Sequence, residues 1–105
     1  MDGESVFSKT SGGSELIKSG PGMIHGYILT SGSPLGSGAS NCIIAYYDNT
    51  IATGNTSANM LAHGQAAGAT AGLSIVWTPT YPHVFSRGLW LSTVSGSPVI
   101  TTSYS

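Results

Sequence analysis

Charged side chains are scarce in this chain, which carries three Lys or Arg and four Asp or Glu among its 105 residues. They make up 7% of the chain, whereas ordinary soluble domains contain about 25%. Binding to nucleic acid requires several cations on one face, because they must displace the counterions of the phosphates. Since Lys9, Lys18 and Arg87 are far apart in the sequence, we expect no direct contact with DNA or RNA.

Cysteine and long apolar runs are also lacking. The single thiol, Cys42, has no partner for a disulfide within the chain. The longest unbroken apolar run, CIIAYY at residues 42–47, is far shorter than the ~20 residues that span a bilayer. The first four residues, MDGE, lack the basic start and apolar stretch of a secretory signal peptide. These features predict a protein that is neither embedded in a membrane nor exported by a signal peptide.

Hydroxyl groups supply most of the polarity instead. Ser and Thr together number 28 and Gly numbers 15, while the formal net charge is only -1. A chain of one-domain size with so little charge disperses poorly as a free monomer. The composition therefore favours a surface that is covered by other protein copies. A Ser/Thr-rich extracellular module is the alternative with the same composition.

Short apolar or alternating runs, each closed by turn residues, recur along the chain. Two of them are residues 23–31, MIHGYILTS, and residues 41–48, NCIIAYYD. No segment of a dozen residues keeps apolar side chains at helical spacing without a Gly, Pro or β-branched interruption. The pattern predicts an all-β fold, an antiparallel β-sandwich of jelly-roll or immunoglobulin-like type with seven to eight short strands.

The predicted domain organisation has two parts. Residues 1–13 are an extended N-terminal arm, and residues 14–105 are a single β-sandwich domain. Val6 and Phe7 lie within the otherwise polar arm, which orders only where it can dock on another surface. Residues 55–66 fit either a short strand or a single helical turn, and the sequence leaves both interpretations open.

Acidic residues offer little for catalysis. The acids at positions 2 and 4 lie in the arm, where no framework holds them within the half-ångström or so that catalysis demands. Glu15 and Asp48 form the remaining pair. The sequence from Asp48 through Asn49 to Thr50 is typical of a turn whose side chains bond their own backbone. We therefore interpret Asp48 as a turn former and predict no catalytic pair of carboxylates.

The histidines and the cysteine do not follow the spacing of metal ligands. His25, His63 and His83 are separated by 38 and 20 residues, and Cys42 has no CxxC partner. The nucleophile pattern GxSxG and the phosphate loop GxxxxGK[ST] are absent. The sequence predicts a protein that is not an enzyme and that holds no metal or cofactor. A three-histidine site assembled from distant strands is the alternative that spacing leaves open.

Aromatic residues give the sharper functional hypothesis. Trp and Tyr on a β surface stack on sugar rings, which makes carbohydrate or receptor binding one interpretation. Trp77 and Trp90 each lie inside an apolar run, which favours packing instead. Tyr81 lies between prolines in TPTYP and is the aromatic that we expect at a surface contact. The predicted interface candidates are Val6, Phe7, Tyr81 and His83.

The order of four segments resembles the small all-β virion proteins of tailed bacteriophages. The segments are GPGMIHGYIL, IIAYYDNTIATG, RGLWLSTVSG and VITTSYS, and the resemblance covers residues 14–104. It rests on order and spacing, and it carries over no active residues. It does imply a set of framework and turn positions, namely Asp48, Asn49, Thr50, Gly54 and Gly88.

The resemblance implies a non-enzymatic structural role. Such a protein decorates and cements the outer surface of a capsid through contacts with the major capsid protein and with its own copies. It is made in the host cytoplasm and resides on the capsid exterior, without cofactor, nucleic acid or membrane. Because icosahedral shells offer threefold sites, a homotrimer is the favoured state, and the arm with Val6 and Phe7 is expected to add to a neighbour. The alternative is a head-fibre or tail-associated protein, or a carbohydrate-binding module for host attachment.

Overall fold

The computed structural model describes residues 5–9, 14–30, 42–66, 74–95 and 99–105. Within these ranges the chain forms strands and no helix, so no helix there is long and apolar enough to cross a membrane. The strands are β1 (Ser5–Lys9), β2 (Glu15–Ser19), β3 (Gly22–Thr30), β4 (Cys42–Asp48), β5 (Met60–Ala66), β6 (Ser74–Trp77), β7 (His83–Phe85), β8 (Gly88–Ser95) and β9 (Val99–Tyr104).

The strands form two antiparallel sheets, which confirms the predicted all-β sandwich. Sheet A has the order β1-β9-β3-β6, and β7 also pairs with β3. Sheet B has the order β2-β8-β4-β5. The described residues hold nine strands, more than the seven or eight expected. The difference arises because residues 5–9 form a strand of their own and because part of the undecided stretch 55–66 is strand β5.

The strand order is that of a jelly roll and not of an immunoglobulin domain. Strand β4 pairs with β5, β3 with β6 and β7, β2 with β8, and β1 with β9. These successive pairs alternate between sheet B and sheet A. The chain therefore follows the path of one long hairpin rolled into two layers, which is the jelly-roll arrangement.

Strand β1 belongs to the predicted arm, yet it pairs with β9 of the same chain. Phe7 packs against the hydrophobic core, whereas Val6 points outward and is 66% exposed. Residues 1–4 and 10–13 of the predicted arm lie outside the described residues. The strand gives sheet A an additional edge and covers one side of β9.

Alternation along the strands places one side of each sheet in the core. In sheet A the register brings Phe7, Thr102, Tyr27 and Trp77 into one inward-facing row. The rings of Tyr27 and Trp77 stack with centroids 5.3 Å apart. The fully enclosed core consists of Ile24, Tyr27, Leu29, Ile44, Tyr46, Phe85, Leu89, Leu91 and Ile100.

A polar contact joins the two sheets inside this core. The hydroxyls of Tyr46, on β4, and Thr102, on β9, share a hydrogen bond of 2.7 Å, and both residues have no exposed surface. Burial raises the pKa of Tyr46 far above its ordinary value, so the phenol stays neutral. The Tyr46 ring also stacks on Tyr27, with centroids 5.5 Å apart.

A glycine on β5 makes room for the second tyrosine. A Cβ at Gly64 would run into the hydroxyl of Tyr27. That hydroxyl donates a hydrogen bond to the carbonyl of His63, at 3.1 Å. The small residue therefore lets a side chain of sheet A reach the backbone of sheet B.

We expect Tyr46→Phe to lower the free energy of unfolding by about 1–2 kcal/mol, because it leaves the buried Thr102 hydroxyl without its partner. Thr102→Val should cost a similar amount, and the double variant should cost less than the sum of the two. Urea denaturation measures all three.

Tyr47→Phe is the matched control, since Tyr47 lies on the opposite side of the same strand. It should change the free energy of unfolding by less than about 0.5 kcal/mol. Fully additive effects of the two core substitutions would contradict a shared hydrogen bond.

Candidate functional site

Asp48 ends strand β4 and holds the turn between β7 and β8. Its carboxylate accepts hydrogen bonds from the backbone N–H groups of Arg87 at 2.8 Å, Ser86 at 3.1 Å and Gly88 at 3.3 Å. The hydroxyl of Ser86 adds a fourth at 3.2 Å. The side chain of Asp48 therefore bonds a turn 38–40 residues away, and not its own backbone as the Asp-Asn-Thr sequence predicts.

These hydrogen bonds also set the charge state of Asp48. Partial burial by itself would raise the pKa of this carboxyl, but the N–H groups of Arg87, Ser86 and Gly88 outweigh it and hold the pKa below its ordinary value. The group is thus a stable anion at neutral pH. A general base or acid needs a pKa near the working pH, and Asp48 is shifted away from it.

Asn49 supplies the self-bonding turn that the sequence predicts. Its side-chain oxygen accepts a hydrogen bond from the backbone N–H of Thr50 at 2.8 Å. Its amide group donates to the carbonyl of Thr53 at 3.0 Å and to the side chain of Asn55 at 2.8 Å. Asn49 is buried, so the amide is a packed framework group of the β4–β5 loop.

The two predicted framework glycines, Gly54 and Gly88, disfavour a larger residue for different physical reasons. Gly54 lies in the left-handed region with φ of 80°, where a side chain is strained. Gly88 is crowded, because an added Cβ would lie 2.7 Å from the carbonyl oxygen of Lys18 and 2.9 Å from that of Asn49. Gly88 therefore allows the β4–β5 loop, the end of β2 and the start of β8 to meet.

Two of the three histidines, His25 and His83, make side-chain hydrogen bonds to the framework. His25 Nε2 and the Ser105 hydroxyl share a hydrogen bond of 2.9 Å. His83 Nδ1 donates to the carbonyl of Leu61 at 2.9 Å and its ring meets Trp77 edge-on. No group of three His, Cys, Asp or Glu that could hold a metal ion occurs in the part of the chain that the structure describes.

The outer side of sheet A is a broad uncharged surface, which we call the sheet A face. The register aligns Ser8, Thr101, Ile28 and Val76 in one row across four strands. None of the described residues of this face is Asp, Glu, Lys or Arg. They are Val6, Ser8, Met23, His25, Ile28, Thr30, Val76, Val84, Val99, Thr101 and Ser103.

A pocket of ≈ 410 Å³ opens on the sheet A face, under the segment between β6 and β7. Ile28 and Val76 give it apolar walls, and Thr78, Thr80 and Thr101 give it hydroxyl groups. The remaining lining residues are His25, Gly26, Tyr27, Pro79, Pro82 and Ser103.

The outer side of sheet B carries an aromatic row, which we call the sheet B row. It runs through Leu16, Trp90, Tyr47 and Met60, which are paired in register across four strands. Trp90 and Tyr47 are half-buried, and the two end residues are exposed. Tyr47 therefore points away from Tyr46, as alternation predicts.

The structure separates the four predicted interface candidates. Tyr81 is 79% exposed beside the pocket, and Val6 is exposed at the β1 edge of the same face. Phe7 packs against the core. His83 is exposed, and its hydrogen bond to the Leu61 carbonyl joins sheet A to sheet B.

Sequence reasoning missed Ile28, Val76 and Val84 as surface residues, because they sit inside apolar runs. The alternation around Ile28 predicts that successive side chains point to opposite sides of the strand, but it does not indicate which side faces the core.

No protein-family model matches the chain, and no curated protein or solved structure matches it.

We expect Asp48→Asn to lower the free energy of unfolding at neutral pH by about 1 kcal/mol, because the amide replaces a charge that accepts four hydrogen bonds. Folding lowers the pKa of Asp48. The ionised group therefore contributes stability above the unfolded value of about 3.9, and this stability is lost as the pH falls through the lower folded pKa. The difference between wild type and variant should shrink below about pH 4.

Urea denaturation at several pH values measures this difference. Ser86→Ala removes one of the four donors and leaves the three backbone donors, so its effect should be smaller at every pH. A difference between wild type and Asp48→Asn that does not change with pH would contradict the role assigned to the carboxylate.

Proposed function

We propose that this protein is a non-enzymatic virion structural protein that decorates and cements the outer surface of a tailed-phage capsid. Its contacts in this proposal are with the major capsid protein and with its own copies, in a homotrimer. The resemblance of its sequence segments to small phage virion proteins supplies the biological setting. The physical support comes from the surface of the jelly roll.

The observation that carries the proposal is the placement of charge. The structure describes the side chains of four charged residues: Glu15 and Lys18 lie on edge strand β2, Asp48 lies at the end of β4, and Arg87 lies in the β7–β8 turn. The described side chains of the two broad faces include no Asp, Glu, Lys or Arg, and most of them are apolar, aromatic or hydroxyl groups. Uncharged faces on both sides suit a molecule that is packed between other proteins, because no ion has to be desolvated when they are covered.

The sheet B row is the surface that we assign to the capsid. Tyr and Trp are enriched at protein interfaces, and charged residues are depleted from interface cores. Trp90 and Tyr47 form a cross-strand aromatic pair with Leu16 and Met60 at either end. A stable contact needs about 800 Å² per partner, and the accessible surface of the chain is 5518 Å². A contact of that size would take about a seventh of this surface.

The polar groups with catalytic potential support the non-enzymatic part. Asp48 is saturated by four hydrogen bonds, His83 is bonded to a carbonyl, and His25 is bonded to Ser105. Jelly rolls occur in viral capsid domains and in lectins, and this analogy of fold is compatible with both proposed roles.

A carbohydrate-binding module is the second candidate, and one observation favours it. Tyr81 is 79% exposed next to a pocket lined by hydroxyl groups, an arrangement that suits stacking on a neutral sugar ring. A glycan array compares wild type with Tyr81→Ala. Reproducible binding that the variant loses would favour attachment to host glycans over cementing.

We expect Met60→Lys to weaken binding to the capsid at least tenfold, because it places an unpaired charge within the sheet B row. Particles assembled without the protein are mixed with the purified protein and sedimented, and the bound fraction is measured against concentration. Ile51→Lys is the control, since Ile51 is an exposed apolar residue of the β4–β5 loop and should leave binding unchanged. Particles that do not bind the wild-type protein would contradict the proposal.

A further inference from the structure

The pocket on the sheet A face is formed by an interruption of one edge strand. Strands β6 and β7 both pair with the same strand, β3, in the same antiparallel sense. Trp77 pairs with Tyr27, and His83 pairs with Ile24. The five residues 78–82 therefore lie opposite only two residues of β3. The three additional residues make this segment form a loop above the sheet.

Gly26 makes this loop possible. It follows a β-bulge in β3, between Ile24 and Gly26 in the pairing with β9. A Cβ at Gly26 would run into the carbonyl oxygen of Trp77 and lie 3.3 Å from Cγ2 of Thr78. The absence of a side chain lets the chain leave β6 close to the sheet, so that the loop walls the pocket.

The loop also carries the most exposed large apolar or aromatic side chain among the described residues. Tyr81 is 79% exposed, and Pro79 and Pro82 flank it and fix φ on either side. Because the two prolines already restrict the backbone of this segment, little backbone entropy is lost when the segment is immobilised on binding. The loop thus presents the Tyr81 side chain, which we call the knob, directly beside the pocket, which we call the hole.

We propose that Tyr81 of one copy inserts into the pocket of a neighbouring copy. This inference refines the self-contact within the proposed function and rests on it for its biological meaning. Each copy has one knob and one hole, so the contact repeats from copy to copy and can close a ring. A ring of three such contacts matches the proposed homotrimer.

The chemistry of the pocket fits the phenol ring. A cavity of about 150 Å³ holds a benzene molecule, and the pocket offers ≈ 410 Å³. Ile28 and Val76 meet the ring, while Thr78, Thr80 and Thr101 provide hydroxyl groups that can bond the phenol oxygen. Asp, Glu, Lys and Arg are absent from the lining. An uncharged face is complementary to another uncharged face, and a second copy supplies one.

The first test removes either the knob or the hole. We expect Tyr81→Ser and Val76→Lys each to weaken self-association at least tenfold in sedimentation velocity, since Val76 is 63% exposed and accepts lysine without loss of the fold. Tyr81→Phe keeps the ring and should weaken it less. Ile51→Ser is the control, because it removes exposed apolar surface outside both faces. Circular dichroism verifies that each variant is folded.

The second test mixes the two defective variants. Tyr81→Ser has an intact pocket and no knob, and Val76→Lys has a knob and a blocked pocket. Neither variant should associate with itself. A fluorescently labelled sample of one, mixed with the other, should form a complex through one intact contact.

The outcomes separate this inference from the proposed function. A wild-type protein that stays monomeric at high micromolar concentration, or a mixture that associates no better than its components, would overturn the knob-and-hole contact. Capsid binding is measured independently by the sedimentation of particles. A protein that binds particles as a monomer would retain the proposed function and lose this inference.

Discussion

The hydrogen bond between Tyr46 and Thr102 is the contact on which the register of the two sheets depends. It lies within the hydrophobic core, and a buried hydroxyl without its partner costs more than a typical hydrogen bond contributes. A slip of either strand by one residue would turn the hydroxyl outward and bring a surface side chain in. The inward row of Phe7, Tyr27 and Trp77 is aligned by the same register. The fixed register in turn decides which residues form the two outer faces.

Charged and uncharged side chains occupy different parts of the molecule. Anionic and cationic groups are kept at edges and turns, where Asp48 fastens the β7–β8 turn to the end of β4. The broad faces hold groups that lose little when water is removed. The protein therefore combines a rigid framework, stabilised by polar contacts at one end, with two surfaces suited to contact with proteins. Its low charge, which is unfavourable for a free monomer, is consistent with a molecule that functions while covered.

The sandwich, strands β3 and β4 and the opposite orientations of Tyr46 and Tyr47 could be predicted from the sequence, because they follow from local alternation. The sequence left residues 55–66 undecided, since β5 gains its strand form only by pairing with β4. The partner of Asp48 was missed for the same reason, as the turn at Arg87 lies far away in the chain. The pocket depends on the five residues 78–82, which lie opposite only two residues of β3, and no local pattern in TPTYP predicts that pairing. Local sequence patterns therefore predict individual strands. The pocket and the contacts of Asp48 depend instead on how strands that are distant in the chain pair with one another.

The position of β9 has a consequence for how the molecule is made. This strand lies between β1 and β3, so β1 lacks its sheet A partner, and β3 is paired along one edge alone, until β9 has been synthesised. Sheet A can close only after residues 99–104 have left the ribosome. Jelly-roll pairings of this kind link residues that are distant along the chain, and such topologies fold slowly. A nascent copy thus passes through an interval with open strand edges, when a chaperone or a sister chain can engage it first.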